Sequence, residues 1–283
     1  MIKPDIPIHV WGGLGSQLYG LALGLYLKNR YKLFDFHFVF HSSGVTRRIP
    51  QFETEFLFGM KKISIDDFQN SKKVKGIKNL SVPNGRKIIK LFLNNSSISI
   101  SCNSDFEVKK LRFWTREIRG HYSNRTIDSE VVRVIYSSLY SNIKNDHFSN
   151  LDLAVHFRLG DLVNLDSKEP INASKVVEQI RLVIDKFQIT QIAIFSDSPE
   201  LAKDLILGTV NFEPSVNFIF PELEISETMV ALTSSKIFLA TPSKISEWAL
   251  LFRNSEYPNC LNFVPTSFSN FVSRHSIPSE IVY

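Results

Sequence analysis

"LDLAVHF", Leu151–Phe157, is the stretch on which the fold turns. It is a short, mostly apolar run with a histidine just before its last residue, and runs of this length bounded by polar residues read as strands buried on both faces. Working outward, Ala173–Phe187 is amphipathic at helical spacing and "QIAIFS" (191–196) is a strand. Pro199–Leu207 is a helix opened by proline in its first turn. "SVNFIF" (215–220) is a strand, Ser226–Ser234 a helix and "KIFLA" (236–240) a strand. Ser243–Phe252 is a helix and "CLNFV" (260–264) the last strand expected. Strands alternating with helices of this length predict a parallel sheet covered on both sides, a doubly wound domain.

The first half begins in the same way. Ile8–Val10 is a strand that enters the glycine turn of "WGGLGSQLYG" (11–20). Apolar residues at helical spacing follow from Ser16 to Arg30, and "FHFVF" (36–40) is a second strand. From Ser64 to Ser104 the chain is polar with weak periodicity and reads as helices and loops. Thr126–Asn145 is a helix with Thr126 as N-cap and Asp128 and Glu130 in the first turn. The fold class expected is α/β with two Rossmann-like domains, 1–147 and 148–283, divided in the polar stretch around 144–150.

Bulk properties narrow the function classes. The chain has 283 residues, 43% hydrophobic and 22% charged, with net charge +5. That mild basic bias favours anionic ligands or an acidic membrane surface without requiring nucleic acid. Lysines cluster at Lys72, Lys73, Lys75 and Lys78, which reads as a solvated face. The two cysteines, Cys102 and Cys260, are far apart and form no C-x-x-C, which argues against zinc and redox motifs and suits two reduced thiols in the cytoplasm. The N-terminus lacks the apolar core of a signal peptide, and no run approaches the roughly eighteen apolar residues of a membrane span.

Doubly wound domains bind ligands at the carboxyl ends of their strands. In the second half those ends deliver His156, Arg158 and Asp161, then Ser196, Asp197 and Ser198, then Thr241, Ser243 and Ser246 at a helix start. An arginine leaving a buried strand calls for an anion, and its planar fork fits a carboxylate such as Asp161 or a phosphate. Thr241 and Ser243 read singly as an N-cap, and Asp197 as a turn former. Their coincidence at one sheet edge is what favours a ligand site. The glycine turn of Gly12, Gly13 and Gly15 departs from the G-x-G-x-x-G dinucleotide pattern, which weakens an NAD-dependent oxidoreductase.

These residues carry a resemblance. "VHFRLGD" is similar to the H-x-R-x-G-D motif of the GDP-fucose-using glycosyltransferases, closest to the bacterial α-1,2-fucosyltransferase family. "FSDS" resembles that family's F-S-D-D segment, and "ISETMVALTSSKIFLATPSKISEWALLF" resembles its helix–strand–turn–helix stretch. "IRGHYSN" (118–124) resembles its G-Y-x-Q segment, and "GGLGSQLYGLALGLYL" its opening glycine motif. The matches run in order over nearly the whole chain. The resemblance implies a GT-B-type fold and an inverting, metal-independent transfer of a 6-deoxyhexose, L-fucose first, from a GDP-sugar to a glycan or lipid-linked acceptor in bacterial surface polysaccharide (O-antigen or capsule) synthesis. It implies no cofactor and no metal.

The same match assigns roles. Arg158 would neutralise the departing diphosphate, with His156 and Asp161 beside it. Asp197 would accept hydrogen bonds from guanine, with Ser198 adjacent. Thr241, Ser243 and Ser246 would hold the β-phosphate at the helix start, and Gly13, Gly15, Ser16 and Gln17 would border the donor from the first domain. Candidates for the base that deprotonates the acceptor are Glu53, Glu55, His37, His41 and His121 by residue type; the departing phosphate itself is an alternative. Three positions depart from the family pattern: Leu159 where a second arginine is common, Ser16 where asparagine is usual, and Thr241-Pro242 in the N-S-S-F-S-like turn. The last two touch the expected donor-sugar position. They leave open another GDP-linked 6-deoxyhexose such as colitose, or a non-catalytic glycan- or nucleotide-binding module. Peripheral association with the cytoplasmic face of the inner membrane fits the basic charge.

Overall fold

A computed structural model describes residues 5–41, 62–63, 99–109, 111, 115–140, 151–159, 173–208, 212 and 215–282. The chain divides into two compact units, 1–131 and 132–283.

In the first unit, β1 (Asp5–Trp11), β2 (Asp35–His41), β3 (Lys62–Ile63), β4 (Ser99–Ser101) and β5 (Glu117–Arg119) form one sheet in the order β3-β2-β1-β5-β4. Every pairing in it is parallel. Ile6, Ile8 and Val10 alternate along β1 and are fully buried, as a strand with one face on a core requires. Helix α1 (Leu14–Arg30) covers that face. It comes close because Gly20 has no side chain: a Cβ there would lie 2.6 Å from Val10 Cγ2. The other face is polar, with buried His9 3.5 Å from Glu117 and Arg119 bonded to the same carboxylate at 3.0 Å. A four-residue helix, α2 (Asp105–Val108), follows β4 and opens with a capping box between Ser104 and Glu107.

Helix α3 (Ser129–Tyr140) contains the division between the units, ahead of the 147/148 boundary expected from sequence. Its later half packs Tyr136 on Phe252, ring centroids 5.3 Å apart, which draws it into the second unit's core. The helix starts three residues later than the sequence suggested. Asp128, rather than Thr126, caps it by accepting the Glu130 N–H at 2.8 Å, while the Thr126 N–H is spent on Asp105.

The second unit carries β6 (Leu153–His156), β7 (Gln191–Phe195), β8 (Asn217–Ile219), β9 (Ile237–Leu239), β10 (Leu261–Val264) and β11 (Glu280–Ile281). They make a six-stranded sheet in the order β11-β10-β9-β6-β7-β8, parallel throughout. All four residues of β6 are buried, the mark of a strand covered on both faces. Between the strands run α4 (Ala173–Phe187), α5 (Pro199–Leu207), α6 (Ile225–Ser234) and α7 (Lys244–Glu256), with α8 (Ser269–Arg274) after β10. The order runs outward from β6 to β8 on one side and from β9 to β11 on the other. That is the doubly wound arrangement, with its topological switch point between β6 and β9. The short edge strand β11 was missed in the sequence because two residues carry no periodicity.

Two polar devices lock this unit. Asp152 accepts hydrogen bonds from the Thr190 hydroxyl, the Thr190 and Gln191 N–H groups and Lys236 Nζ. Burial alone would raise its pKa, but these donors outweigh it and pull the carboxyl down to about 2. Arg253 is fully buried. Its guanidinium donates to the carbonyls of Leu232, Thr233, Ser235, Lys236 and Leu261 and to Asn262 Oδ1. It thus satisfies the carbonyls orphaned at the end of α6.

Candidate active site

The ends of β6 and β9 flank the switch point, so the residues that leave those strands are the ones presented to a ligand there. β6 ends at His156 and is followed by Phe157 and Arg158; β9 is followed by Ala240, Thr241, Pro242 and Ser243, the last being the N-cap of α7. Ser243 Oγ accepts the Ser246 N–H at 3.0 Å, which fixes the helix start.

His156 is the hub. The ring is 6% exposed, and Nδ1 lies 2.9 Å from Ser246 Oγ and 3.1 Å from Ser243 Oγ. Its carbonyl accepts the Thr241 hydroxyl at 2.6 Å, which bolts β6 to the turn after β9. Burial lowers the imidazole pKa to about 4, with Asp197 opposing and Arg158 assisting, so the ring is neutral at pH 7. Ser243 donates to Ser246 at 3.2 Å. The donor order that satisfies all three groups then runs Ser243 to Ser246 to Nδ1, and puts the imidazole proton on Nε2.

Arg158 is half-buried at this edge. It acts on two neighbours at once, lowering the pKa of His156 and that of Lys244. For Lys244, burial is the larger cause and Glu247 opposes it. Lys244 is the first residue of α7 and half-buried. The sequence reading passed over it, although a signal was present: a cation in the first turn of a helix faces the positive end of the dipole.

The other expected donor residues divide into two groups. Thr241 and Ser246 are fully buried and direct their hydroxyls at His156, so they shape the hub from behind. Asp197 is exposed, and its Oδ1 accepts the Leu159 N–H at 2.8 Å, tying together the segments after β6 and β7. Ser198 stands at the N-cap of α5 without capping it, and its N–H is bonded to Ser196 Oγ. Leu159 is buried in the hydrophobic core. Asp161 lies outside the described residues, as do Glu53 and Glu55.

In the first unit the strand order places a second switch point between β1 and β5. The glycine turn follows β1 there. Gly12, which the sequence reading did not single out among the site residues, has φ +86°, a conformation that favours glycine. A Cβ there would also meet Ser16 Oγ at 3.1 Å. Gln17 is buried and its Nε2 donates to the Gly12 carbonyl at 3.0 Å, holding the turn. Gly13 caps α1, while Gly15 lies inside its first turn rather than in the loop. Gly120 and His121 follow β5 at the same edge, and His121 is exposed with its N–H bonded to Asn103 Oδ1. His37 points elsewhere. Its Nδ1 is 2.6 Å from Asp5, the first residue of β1, so it belongs to the amino end of the sheet and away from the edge where a ligand sits.

Among the described residues no three His, Cys, Asp or Glu side chains converge on a point that would hold a metal. Neither cysteine is in a disulfide, and burial raises the Cys102 thiol to about 12. Among the described residues no helix is long and apolar enough to cross a membrane.

No protein-family model matches the chain. No curated protein matches it either. Among solved structures it is similar to Escherichia coli heptosyltransferase WaaC with ADP, at 13% identity, covering 92% of this chain and 87% of that one, TM-score 0.45. It is similar to POFUT1 in complex with GDP, at 10% identity, covering 93% and 98%, TM-score 0.46. A third is E. coli ADP-heptose LPS heptosyltransferase II, at 14% identity, covering 98% and 90%, TM-score 0.46.

Proposed function

We propose that the protein is a GT-B-type glycosyltransferase that moves a 6-deoxyhexose, L-fucose first, from a GDP-sugar to a hydroxyl of a glycan acceptor. The observation that carries this reading is the gathering of neutral His156, Arg158 and the capped start of α7 at the second unit's switch point. A nucleoside diphosphate is the ligand whose charge such an edge meets. The ordered motifs of the sequence supply guanine and fucose.

In this reading the acceptor oxygen attacks the anomeric carbon as the bond to the diphosphate breaks, with inversion. The charge that develops on the leaving phosphate falls to Arg158 and to the N–H groups of α7, so no metal is required. Nε2–H of His156 donates to a phosphate oxygen, its tautomer held from behind by Ser243 and Ser246. Asp197 faces guanine and accepts from its N–H groups. His121 is the acceptor-side base, since it is exposed at the carboxyl edge of the first sheet. Lipid-linked oligosaccharide at the inner membrane surface is the acceptor class that suits a basic cytoplasmic enzyme of surface-polysaccharide synthesis.

The test is a thermal-shift series. GDP raises the melting temperature, UDP and ADP do not, and Arg158→Ala abolishes the shift. The same variant lowers turnover of the GDP-sugar by about 10², the scale of a lost oxyanion-hole donor. Equal shifts with all three nucleotides, or none, would sink the assignment. A second reading is favoured by Ser16, whose short side chain packs against Gly12 where asparagine is usual: the donor is another GDP-linked 6-deoxyhexose such as colitose. Hydrolysis rates of GDP-fucose and GDP-colitose without acceptor separate the two, and an inert protein that still binds GDP would be a binding module.

A further inference from the structure

A second concavity lies at the other end of the sheet from His156. It is a cavity of about 570 Å³ at the amino edge of β7 and β8, within the range of roughly 300–1,000 Å³ that holds small molecules. One wall is the end of α4 and the residue after it. Arg181, Ile184, Asp185 and Gln188 follow there at i, i+3, i+4 and i+7, and so share one face. Phe212 and Ser215 stand opposite, on the approach to β8, with Phe212 packed on Phe218 at 4.6 Å between ring centroids.

Gln188 departs from the pattern of helix ends. Its φ is +51°, in the left-handed region, at the position after a helix where glycine is the usual residue. Its N–H donates to the Ile184 carbonyl at 3.0 Å, as that of a glycine would. What the side chain adds is part of the cavity wall, with an amide that both donates and accepts. A side chain placed where it strains the backbone points to a role other than stability.

The wall chemistry narrows what the cavity takes. Arg181 and Asp185 carry opposite charges on one face, so the wall has no net charge and suits neither a phosphate nor a cation. Among the described residues neither side chain is committed to an ion pair or a hydrogen bond. Guanidinium, carboxylate, amide and hydroxyl together present donors and acceptors in pairs, beside the apolar surface of Ile184 and Phe212. A sugar ring is divided in the same way, with hydroxyls at its edge and C–H groups on its face.

We propose that this cavity is a carbohydrate-binding site, separate from the candidate active site, that takes a neutral oligosaccharide. Arg181, Asp185 and Gln188 bond its hydroxyls, and Phe212 meets the face of a ring. The site stands without the nucleotide-sugar reading; with it, the ligand is a stretch of the glycan acceptor away from the reacting hydroxyl.

The experiment is saturation-transfer difference NMR on the full chain, with lactose, cellobiose and maltose as probes. Expected is transfer to at least one of them, unaffected by saturating GDP. Arg181 and Asp185 are exposed, so their truncation leaves the fold intact. Arg181→Ala and Asp185→Ala weaken the affinity at least tenfold, whereas Arg158→Ala leaves it within twofold. Gln188→Gly weakens it at least threefold while melting at or above the wild-type temperature; a merely structural glutamine gives lower melting and unchanged binding. No transfer to any probe, loss in Arg158→Ala but not in Asp185→Ala, or a Gln188→Gly variant that binds as wild type or melts below it would each overturn the site. Displacement of the bound sugar by inorganic phosphate would overturn it in favour of an anion site. None of these outcomes bears on the GDP-induced melting shift, by which the nucleotide-sugar reading stands or falls.

Discussion

His156 shows how much one side chain can be governed by its surroundings. In the unfolded chain its imidazole titrates near the ordinary 6.5, whereas in the fold burial holds it at about 4. Above pH 6.5 the ring is neutral in both states and the stability it permits is complete. As pH falls from 6.5 toward 4 the unfolded chain takes up the proton first, and stability declines. The shift corresponds to a loss on the order of 3 kcal/mol across that window. Urea denaturation of wild type and His156→Gln at steps between pH 7 and 4 measures it. The variant should show a shallower decline, and parallel curves would mean that the ring does not govern this window. Asp152 titrates lower, between 3.8 and about 2, so its acid loss is separable. The sequence placed His156 and Arg158 at a strand end on apolar patterning alone. It did not place the two serines behind the ring, because a contact across about ninety residues leaves no local trace.

At the scale of elements, local chemistry was most legible where one force dominates. Helices α4 and α5 begin and end where apolar spacing and an N-terminal proline put them. The start of α3 was misplaced because Thr126 and Asp128 are both good caps, and the choice fell to Asp105, which takes the Thr126 N–H. The glycines of the opening motif act at two different positions: Gly12 by its backbone angle, Gly20 by the approach of α1 to β1. Gly20→Ala should therefore destabilise by overpacking, about 1–3 kcal/mol. Val10→Ala, which removes the opposing methyls, costs stability alone but less in the Gly20→Ala background. The coupling expected in the double-mutant cycle is about 1 kcal/mol or more. Strict additivity in equilibrium unfolding would show that the helix does not depend on the missing Cβ.

For the whole molecule, both sheets are parallel throughout and each has a reversal of strand order. Alternating strands and helices announced this for the second unit. In the first, β3 and β4 have two and three residues and arise from stretches without clear period, so the strand order was not readable. A ligand that binds the folded chain stabilises it by mass action, about 2.7 kcal/mol at a hundredfold excess over Kd. If cations dominate, that gain shrinks with ionic strength. The GDP-induced melting shift measured at constant nucleotide should fall as sodium chloride is raised from 50 to 500 mM. A shift indifferent to salt would assign the binding to the base and not to the phosphates.

The bond from the Thr241 hydroxyl to the His156 carbonyl joins residues 85 positions apart. On a ribosome the first of them has long left the exit tunnel before the second is made. Pairing of such distant strands is slow, since a long loop must close before any contact rewards it. A nascent chain halted before β9 holds its arginine and its histidine but has nowhere to put a phosphate. If the site takes a nucleotide as proposed, its capture is a late event in the life of each molecule, since it requires a completed second unit.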